Sequence, residues 1–274
     1  IRFADVPIVG DLKYVLPELT DLLSTEFADQ LPNLTEWWNE LNVIRKDYPL
    51  GYEKPNDGLG SPEYVLERIS ALTGPDAYYV TGVGQHQMWG AHYIQQESPR
   101  HFISSAGLGT MGYGVPAGMG AKVAHPESTV WIIDGDGCFQ MTNQELVTCA
   151  QNNIPVKVAI INNSSLGMVR QWQTLFYNER YSNTDLKDGH GTVRIPDFVK
   201  LGDAYGCATF RCERDEDVDA TIKAALEVND RPVVIDFTVS PHALVWPMVP
   251  AGVSNDKIWI AKNTSPEFDR EGEN

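Results

Sequence analysis

The stretch from Asp134 to Asn163, DGDGCFQMTNQELVTCAQNNIPVKVAIINN, decides the fold. It begins where the apolar run Val130 to Ile133 meets an acidic, glycine-rich turn, and it ends where a second run, Val156 to Ile161, meets paired asparagines. Between them, Thr142 to Asn153 carries apolar or small residues at Leu146, Val147, Cys149 and Ala150, a spacing that predicts a helix of about three turns. Strand, turn, helix, strand is the crossover that joins two parallel strands. Their carboxyl ends share one edge of the sheet, so Asp136 and Asn163, 27 residues apart in sequence, converge there. Open α/β sheets bind ligands at that edge.

An aspartate beside an asparagine offers oxygen ligands with a single carboxylate. That set suits Mg²⁺ or Ca²⁺, and Mg²⁺ completes its shell with phosphate oxygens and water. Gly135 and Gly137 let a bulky anion approach the backbone, and the helix that follows presents free N–H groups. Taken singly, GDG is an ordinary turn and Asn162-Asn163 an ordinary strand end. At crossover spacing after two apolar runs, the pair reads as a site for a magnesium-bridged diphosphate.

Outward from this unit the chain alternates strands and helices. A capped helix opens at Ser61-Pro62-Glu63 and runs to Gly74. It is followed by strand Ala77 to Thr81, a helix around Met88 to Ile94, strand His101 to Ser104 and helix Tyr113 to Val123. Beyond the central crossover come helix Leu166 to Tyr177, a polar loop to Arg194, helix Pro196 to Tyr205, strand Cys207 to Arg211, helix Val218 to Val228 and strand Val233 to Phe237. The expected fold is therefore a doubly wound α/β domain, with a mostly parallel sheet of about six strands covered on both faces. Ahead of it, Val6 to Val9 reads as a short strand and Asp11 to Phe27 as a helical stripe interrupted at Pro17, the end of another α/β domain. Leu34 to Tyr48 reads as an amphipathic helix, and Pro49 to Pro62 as a linker. Ile1 to Gly10 reads as the interior of a longer chain. A Pro-rich tail from Ser240 ends in a charged, mobile stretch.

With 274 residues, 42% of them hydrophobic, and seven tryptophans, the chain is expected to be globular. A net charge of −16 argues against nucleic acid or an anionic membrane as partner, since both require a basic footprint. No apolar run approaches the ~18 residues of a membrane span. Cys138, Cys149, Cys207 and Cys212 form no CxxC pair and read as reduced thiols of a cytosolic protein.

Gly107-Leu-Gly109-Thr-Met-Gly112 fits G-x-G-x-x-G, but the acid a nicotinamide fold expects ~20 residues on is missing, because Asp134 lies 27 residues away beside the metal turn. Val83-Gly84-Gln85-His86-Gln87 follows a strand end, so Gln85 and His86 reach the same edge as Asp136 and could donate to phosphate oxygens. His92, His101, His125, His190 and His242 have no partners at ligand spacing and read as structural or surface residues. Met168, Trp172, Leu175 and Phe176 fall on one face of a helix whose first turn begins at the site.

GDG followed by NN at this separation resembles the motif of thiamine diphosphate enzymes. The phrases VGQHQMWGAHY (Val83 to Tyr93), SSAGLGTMGYGVPAGMGAKVAHP (Ser104 to Pro126), INNSSLGMVRQWQTLFYNERYS (Ile161 to Ser182) and VWPMVPAG (Val245 to Gly252) resemble the acetolactate synthase (acetohydroxyacid synthase) large subunits in particular. The resemblance implies decarboxylation of pyruvate and carboligation to a second 2-ketoacid, pyruvate or 2-ketobutyrate, in branched-chain amino acid biosynthesis. Asp136, the Asn163 side chain and the Ser165 carbonyl would hold Mg²⁺. Val83, Gly84, Gln85, His86 and Met88, with Gly137, Cys138, Leu166, Gly167 and Met168, would hold the cofactor's diphosphate end. Met111 would bend the cofactor and the Gly109 carbonyl would accept from its aminopyrimidine, so those glycines serve a different ring from nicotinamide. Met168 and Trp172 would shape the substrate pocket.

The same resemblance divides the chain into four parts. Residues 1–30 would end a central domain that contacts FAD through Asp11 and Leu12. Residues 31–60 would be helix and linker, 61–240 the diphosphate- and magnesium-binding domain, and 241–274 a tail that closes over the site. The family's activating glutamate lies in an N-terminal domain, and no acid here matches it. The resemblance thus implies a homodimer or homotetramer, a possible small regulatory subunit, a cytoplasmic location, and no activity for this chain alone.

Overall fold

The computed structural model describes residues 3–30, 32–186 and 195–264. The end of the polar loop, His190 and the charged C-terminal stretch lie outside the described residues. The chain divides into two compact units, Ile1–Gly51 and Tyr52–Asn274.

The smaller unit holds α1 (Leu12–Thr25) and α2 (Thr35–Asp47), neither with a buried residue. Asp11 caps α1, its carboxylate accepting from the Lys13 N–H at 2.8 Å. The expected interruption at Pro17 does not occur; the helix runs through it. Proline there removes the ladder bond its own nitrogen would have made and crowds the carbonyl of Lys13, a cost the helix accommodates without breaking. Nor do residues 6–9 form a strand, since a strand needs a neighbour for its N–H and C=O groups and none pairs with them among the described residues.

In the larger unit, α3 (Pro62–Thr73) starts as the sequence predicts: Ser61 Oγ accepts from the Tyr64 N–H, proline fills the first position, and Gly74 ends the helix at φ 92°. Then come β1 (Tyr78–Thr81), α4 (Gln85–Tyr93), β2 (Phe102–Ser104), α5 (Gly114–Ala124), β3 (Val130–Gly135), α6 (Asp136–Phe139), α7 (Glu145–Gln151), β4 (Lys157–Asn162), α8 (Gly167–Phe176), α9 (Phe198–Ala204), β5 (Ala208–Cys212), α10 (Asp215–Glu227) and β6 (Val233–Thr238). Two departures matter for the site. Helix α4 begins at Gln85, a turn earlier than expected, and the GDG turn opens a short helix, α6; the predicted Thr142 to Asn153 helix is the shorter α7.

The six strands pair in parallel throughout, in the order β2-β1-β3-β4-β6-β5. All of β3 and β4 is buried, as a sheet covered on both faces requires. Alternation assigns the faces. Trp131, Ile133, Ala159 and Ile161 join one core with Val65, Leu66 and Ile69 of α3 and Ile222 of α10. Ile132, Val158 and Ile160 join the other with Val115 of α5, Leu146 of α7 and Phe198 of α9. Each fully buried branched side chain contributes roughly 1.5–3 kcal/mol, so this double layer is what holds the strand ends in place.

The expected linker is partly built into this unit. Gly60 N–H donates to the Thr238 carbonyl at 3.4 Å, and Ser240 Oγ donates to Asp57 Oδ2 at 2.7 Å.

Candidate functional site

From β1 the chain crosses outward to β2, whereas from β3 it crosses the other way to β4, so the sheet's switch point lies between β1 and β3. Ligands of open α/β sheets bind at such a crevice. Thr81 pairs with Ile133 and Gly135 with Ile161, a register that brings residues 83–86, 135–138 and 163–168 to one level of the carboxyl edge. They line a cleft of about 80 Å³, together with Met111.

Of the residues the sequence singles out, Val83, Gly84, Gln85, His86, Met111, Asp136, Gly137, Cys138, Asn163, Ser165, Leu166, Gly167 and Met168 meet in this cleft. Met88 packs instead against the core beside α3, and Trp172 is half-exposed one helical turn beyond Met168. Gly109, at φ +71°, lies near Val83 but does not line the cleft. Asp11 and Leu12 belong to the smaller unit. Trp89, Ile161 and Val169 line the cleft without having been singled out. Trp89 stands one turn after Gln85 on α4, which places it on the same helix face toward the cleft.

Two glycines make the approach possible. A Cβ on Gly167 would stand 2.0 Å from Gln85 Oε1 and 2.6 Å from Asn163 Nδ2, and one on Gly137 would stand 2.7 Å from Leu166 Cδ2. Around them, buried polar atoms go unanswered. Asp136 Oδ2, both carboxylate oxygens of Asp134 and His86 Nε2 have no hydrogen-bond partner among the described residues. Buried orphans of this kind are rare and ask for a ligand or an ion.

Burial raises the Asp136 carboxyl to about 7, against the opposing pull of the N–H groups of Gly137, Asp136 and Ser165. Burial likewise lifts Asp134 to about 7 and presses His86 down to about 3, leaving the imidazole neutral. His86 Nε2 lies 3.6 Å from Asp134 Oδ1, beyond hydrogen-bond reach. Cys138 completes a buried group with these two. Its thiol is pushed up to about 12 by burial and by Asp134, and its sulfur accepts from the N–H groups of Val83 and Gly112 at 3.4 and 3.2 Å. It ties two glycine loops together and is no nucleophile. The other three cysteines are also free and buried. His101 and His125 stack on either side of Tyr78 at 4.1 and 4.4 Å, which accords with a structural reading of both.

Asn163 Oδ1 accepts from the Ser165 N–H at 3.1 Å while its Nδ2 donates to Gln85 Oε1 at 3.1 Å. An orphaned buried carboxylate, a held amide oxygen and a glycine cradle beside a helix start fit a divalent cation bridging a diphosphate.

The family model described as thiamine pyrophosphate enzyme, C-terminal TPP binding domain, matches residues 82–237, the span that carries every cleft-lining loop. The chain belongs to that family. Among curated proteins, this thiamine pyrophosphate domain is similar to the acetolactate synthase of Mycobacterium leprae (strain TN), 57% identical over 272 residues, 99% of this chain and 43% of that protein. It is 50% identical over 269 residues to the acetolactate synthase large subunit of Corynebacterium glutamicum, covering 98% of this chain and 42% of that one. To the large subunit of acetolactate synthase isozyme 3 of Escherichia coli (strain K12) it is 40% identical over 262 residues, 94% and 44% respectively. The resemblance read from the sequence is borne out, and the chain spans less than half the length of these curated relatives.

Proposed function

We propose that this chain supplies the metal- and diphosphate-binding half of an acetolactate synthase. On this reading, Asp136, the Asn163 side chain and the Ser165 carbonyl hold Mg²⁺, and the observation that carries it is the buried, unanswered Asp136 carboxylate facing Asn163 across the ends of β3 and β4. Thiamine diphosphate, when bound, supplies the carbanion chemistry of pyruvate decarboxylation and carboligation to pyruvate or 2-ketobutyrate.

The chain's own residues bind and orient. Backbone groups of Gly137, Cys138, Leu166, Gly167 and Met168 meet the diphosphate, with Val83, Gly84 and His86 closing its other side. Both Gln85 donors are committed within the chain, to Gln171 Oε1 at 2.8 Å and the Ala243 carbonyl at 3.1 Å. Gln85 therefore acts through Asn163 rather than by donating to phosphate. Met111 and the Gly109 carbonyl serve the cofactor rings, with Met88 supporting α4 from the core side. Met168 and Trp172 border the substrate.

A cleft of about 80 Å³ suits a diphosphate and a cation, far short of the ~300 Å³ at which small-molecule sites begin. By the family resemblance, the activating acid and the rest of the ring pocket belong to a second half of the site, across a homodimer or homotetramer, and this chain alone forms no acetolactate. By the same resemblance we assign residues 1–30 to the end of a central domain contacting FAD through Asp11 and Leu12, residues 61–240 to the cofactor domain and 241–274 to a closing tail. A cytoplasmic location and a small regulatory subunit complete the assignment. Among the described residues no helix is long and apolar enough to cross a membrane.

Calorimetry tests the binding half of this reading: thiamine diphosphate is expected to bind only with Mg²⁺, and affinity indifferent to Mg²⁺ would refute it. Product analysis tests the rest, with the complete protein expected to turn pyruvate into acetolactate; acetaldehyde or acetate instead would assign it to a sister enzyme.

A further inference from the structure

Gln171 sits in the middle of α8 with its whole surface buried. Every hydrogen-bonding position of its amide is used. Oε1 accepts from Gln85 Nε2 at 2.8 Å and from the Val245 N–H at 2.9 Å, while Nε2 donates to the Val245 carbonyl at 3.2 Å and approaches Met248 Sδ at 3.7 Å. The paired bonds to the N–H and C=O of Val245 are those a neighbouring strand would make. One side chain thus pins an irregular segment as a strand would.

The run of amides continues into the cleft. Gln85 sends its second donor to the Ala243 carbonyl at 3.1 Å, and its Oε1 accepts from Asn163 Nδ2 at 3.1 Å. With Nδ2 so engaged, Asn163 presents its oxygen, not its N–H₂, to a cation. Next to Gln171, Arg170 Nη1 donates to the Pro241 carbonyl at 2.7 Å, so the same turn of α8 holds the start of the segment too. Buried polar networks of this kind are costly when half-satisfied, which makes their members move together.

We propose that Gln171 is a positioning residue that couples the docking of residues 241–248 to the orientation of Asn163. The proposal rests on the reading of the cleft as the Mg²⁺ and diphosphate site. If segment docking and Asn163 orientation are linked, the linkage is reciprocal: cofactor binding tightens the segment, and a loosened segment weakens cofactor binding by the same factor. Replacing Gln171 by methionine, of similar length but without the amide, strands one of the two Gln85 N–H donors and both backbone groups of Val245, and it leaves Gln85 held only through the Ala243 carbonyl, so that Gln85 and then Asn163 can turn.

The test pairs calorimetry of thiamine diphosphate at saturating Mg²⁺ with amide hydrogen exchange of the peptide covering residues 241–250. In the unsubstituted protein, cofactor with Mg²⁺ is expected to slow exchange of that peptide at least tenfold. In Gln171→Met the affinity is expected to fall about tenfold and the peptide's exchange to ignore the cofactor. Leu175→Ala is the control, a buried residue of α8 outside the network: it should lower stability yet keep the exchange response. A Gln171→Met protein with full affinity and an intact response would overturn the proposal, as would the same loss of response in Leu175→Ala. Should Gln171→Met fail to fold, the unsubstituted protein still decides: cofactor that binds without slowing the peptide also overturns the proposal. If the unsubstituted protein shows no Mg²⁺-dependent binding, the reading of the cleft falls, and this proposal with it.

Discussion

The two ends of β4 treat buried polar groups in opposite ways. At its amino end Lys157 is buried, yet its ammonium donates to the Ala225 carbonyl at 2.9 Å, the Val228 carbonyl at 2.8 Å and Asn229 Oδ1 at 3.4 Å, around the last turn of α10. Desolvation presses that lysine down to about 8, while the three acceptors and the negative end of the helix hold its proton. At its carboxyl end, across from Asn163, Asp136 keeps an oxygen with no partner among the described residues. One end is satisfied by the chain itself and serves stability; the other keeps a carboxylate oxygen unpaired among the described residues, the oxygen that the proposed reading turns toward a cation.

Substitution at the carboxyl end should therefore cost binding without costing the fold. Asp136→Asn is expected to abolish Mg²⁺-dependent cofactor affinity, a loss of at least a thousandfold or roughly 4 kcal/mol, with an unchanged or higher melting temperature because a desolvated carboxylate is gone. Calorimetry and thermal denaturation on the same sample check both parts. Lys157→Ala should do the reverse. It leaves a cavity and buried carbonyls at the end of α10, so unfolding in urea should show a loss of about 3 kcal/mol with cofactor affinity within twofold of the original. A large affinity loss there would break the contrast between the two ends.

Gly167→Ala sharpens the contrast at the cleft. Its Cβ would collide with Gln85 Oε1 and Asn163 Nδ2, both parts of a network that cannot yield cheaply, and affinity should fall about thirtyfold, or roughly 2 kcal/mol, while stability changes less.

A last contrast concerns pH. Asp134 has its folded carboxyl raised above the unfolded value, so its stabilising contribution is full below about pH 4 and lost as pH rises through about 7. In cofactor-free protein, Asp134→Asn should be more stable than the parent at pH 8. That advantage should shrink on acidification toward pH 4 by up to about 1.4 kcal/mol per pH unit. Denaturation curves at pH 5 and pH 8 measure it, and an advantage that grew on acidification would contradict the assigned burial.

Much of this was legible in the chain. The apolar runs Val130 to Ile133 and Val156 to Ile161, punctuated by GDG and NN, announced two buried parallel strands and a shared edge. The capping signals at Ser61-Pro62 and Gly74 marked α3. Helix starts without such signals are less legible: α4 opens at Gln85 after Gly84, with no side-chain cap, a turn before the position expected from sequence. Residues 6–9 have the composition of a strand but no partner among the described residues, and Pro17 sits in a helix that tolerates it. Gln171 resembled any polar residue on an amphipathic helix, since nothing local reveals that Val245, 74 residues later, lies against it.

By itself the sequence determined the alternating elements, the sheet edge and the residue types able to hold a cation and a diphosphate, because periodicity, caps and glycine turns act over a few residues. Only the tertiary structure decided which polar groups find partners. Lys157 is satisfied by a helix end 68 residues away, whereas Asp136, 21 residues before it, keeps an oxygen without a partner among the described residues. Hydrogen-bond completion and desolvation depend on what packs around a group, and that is fixed by long-range packing rather than by its neighbours in the chain.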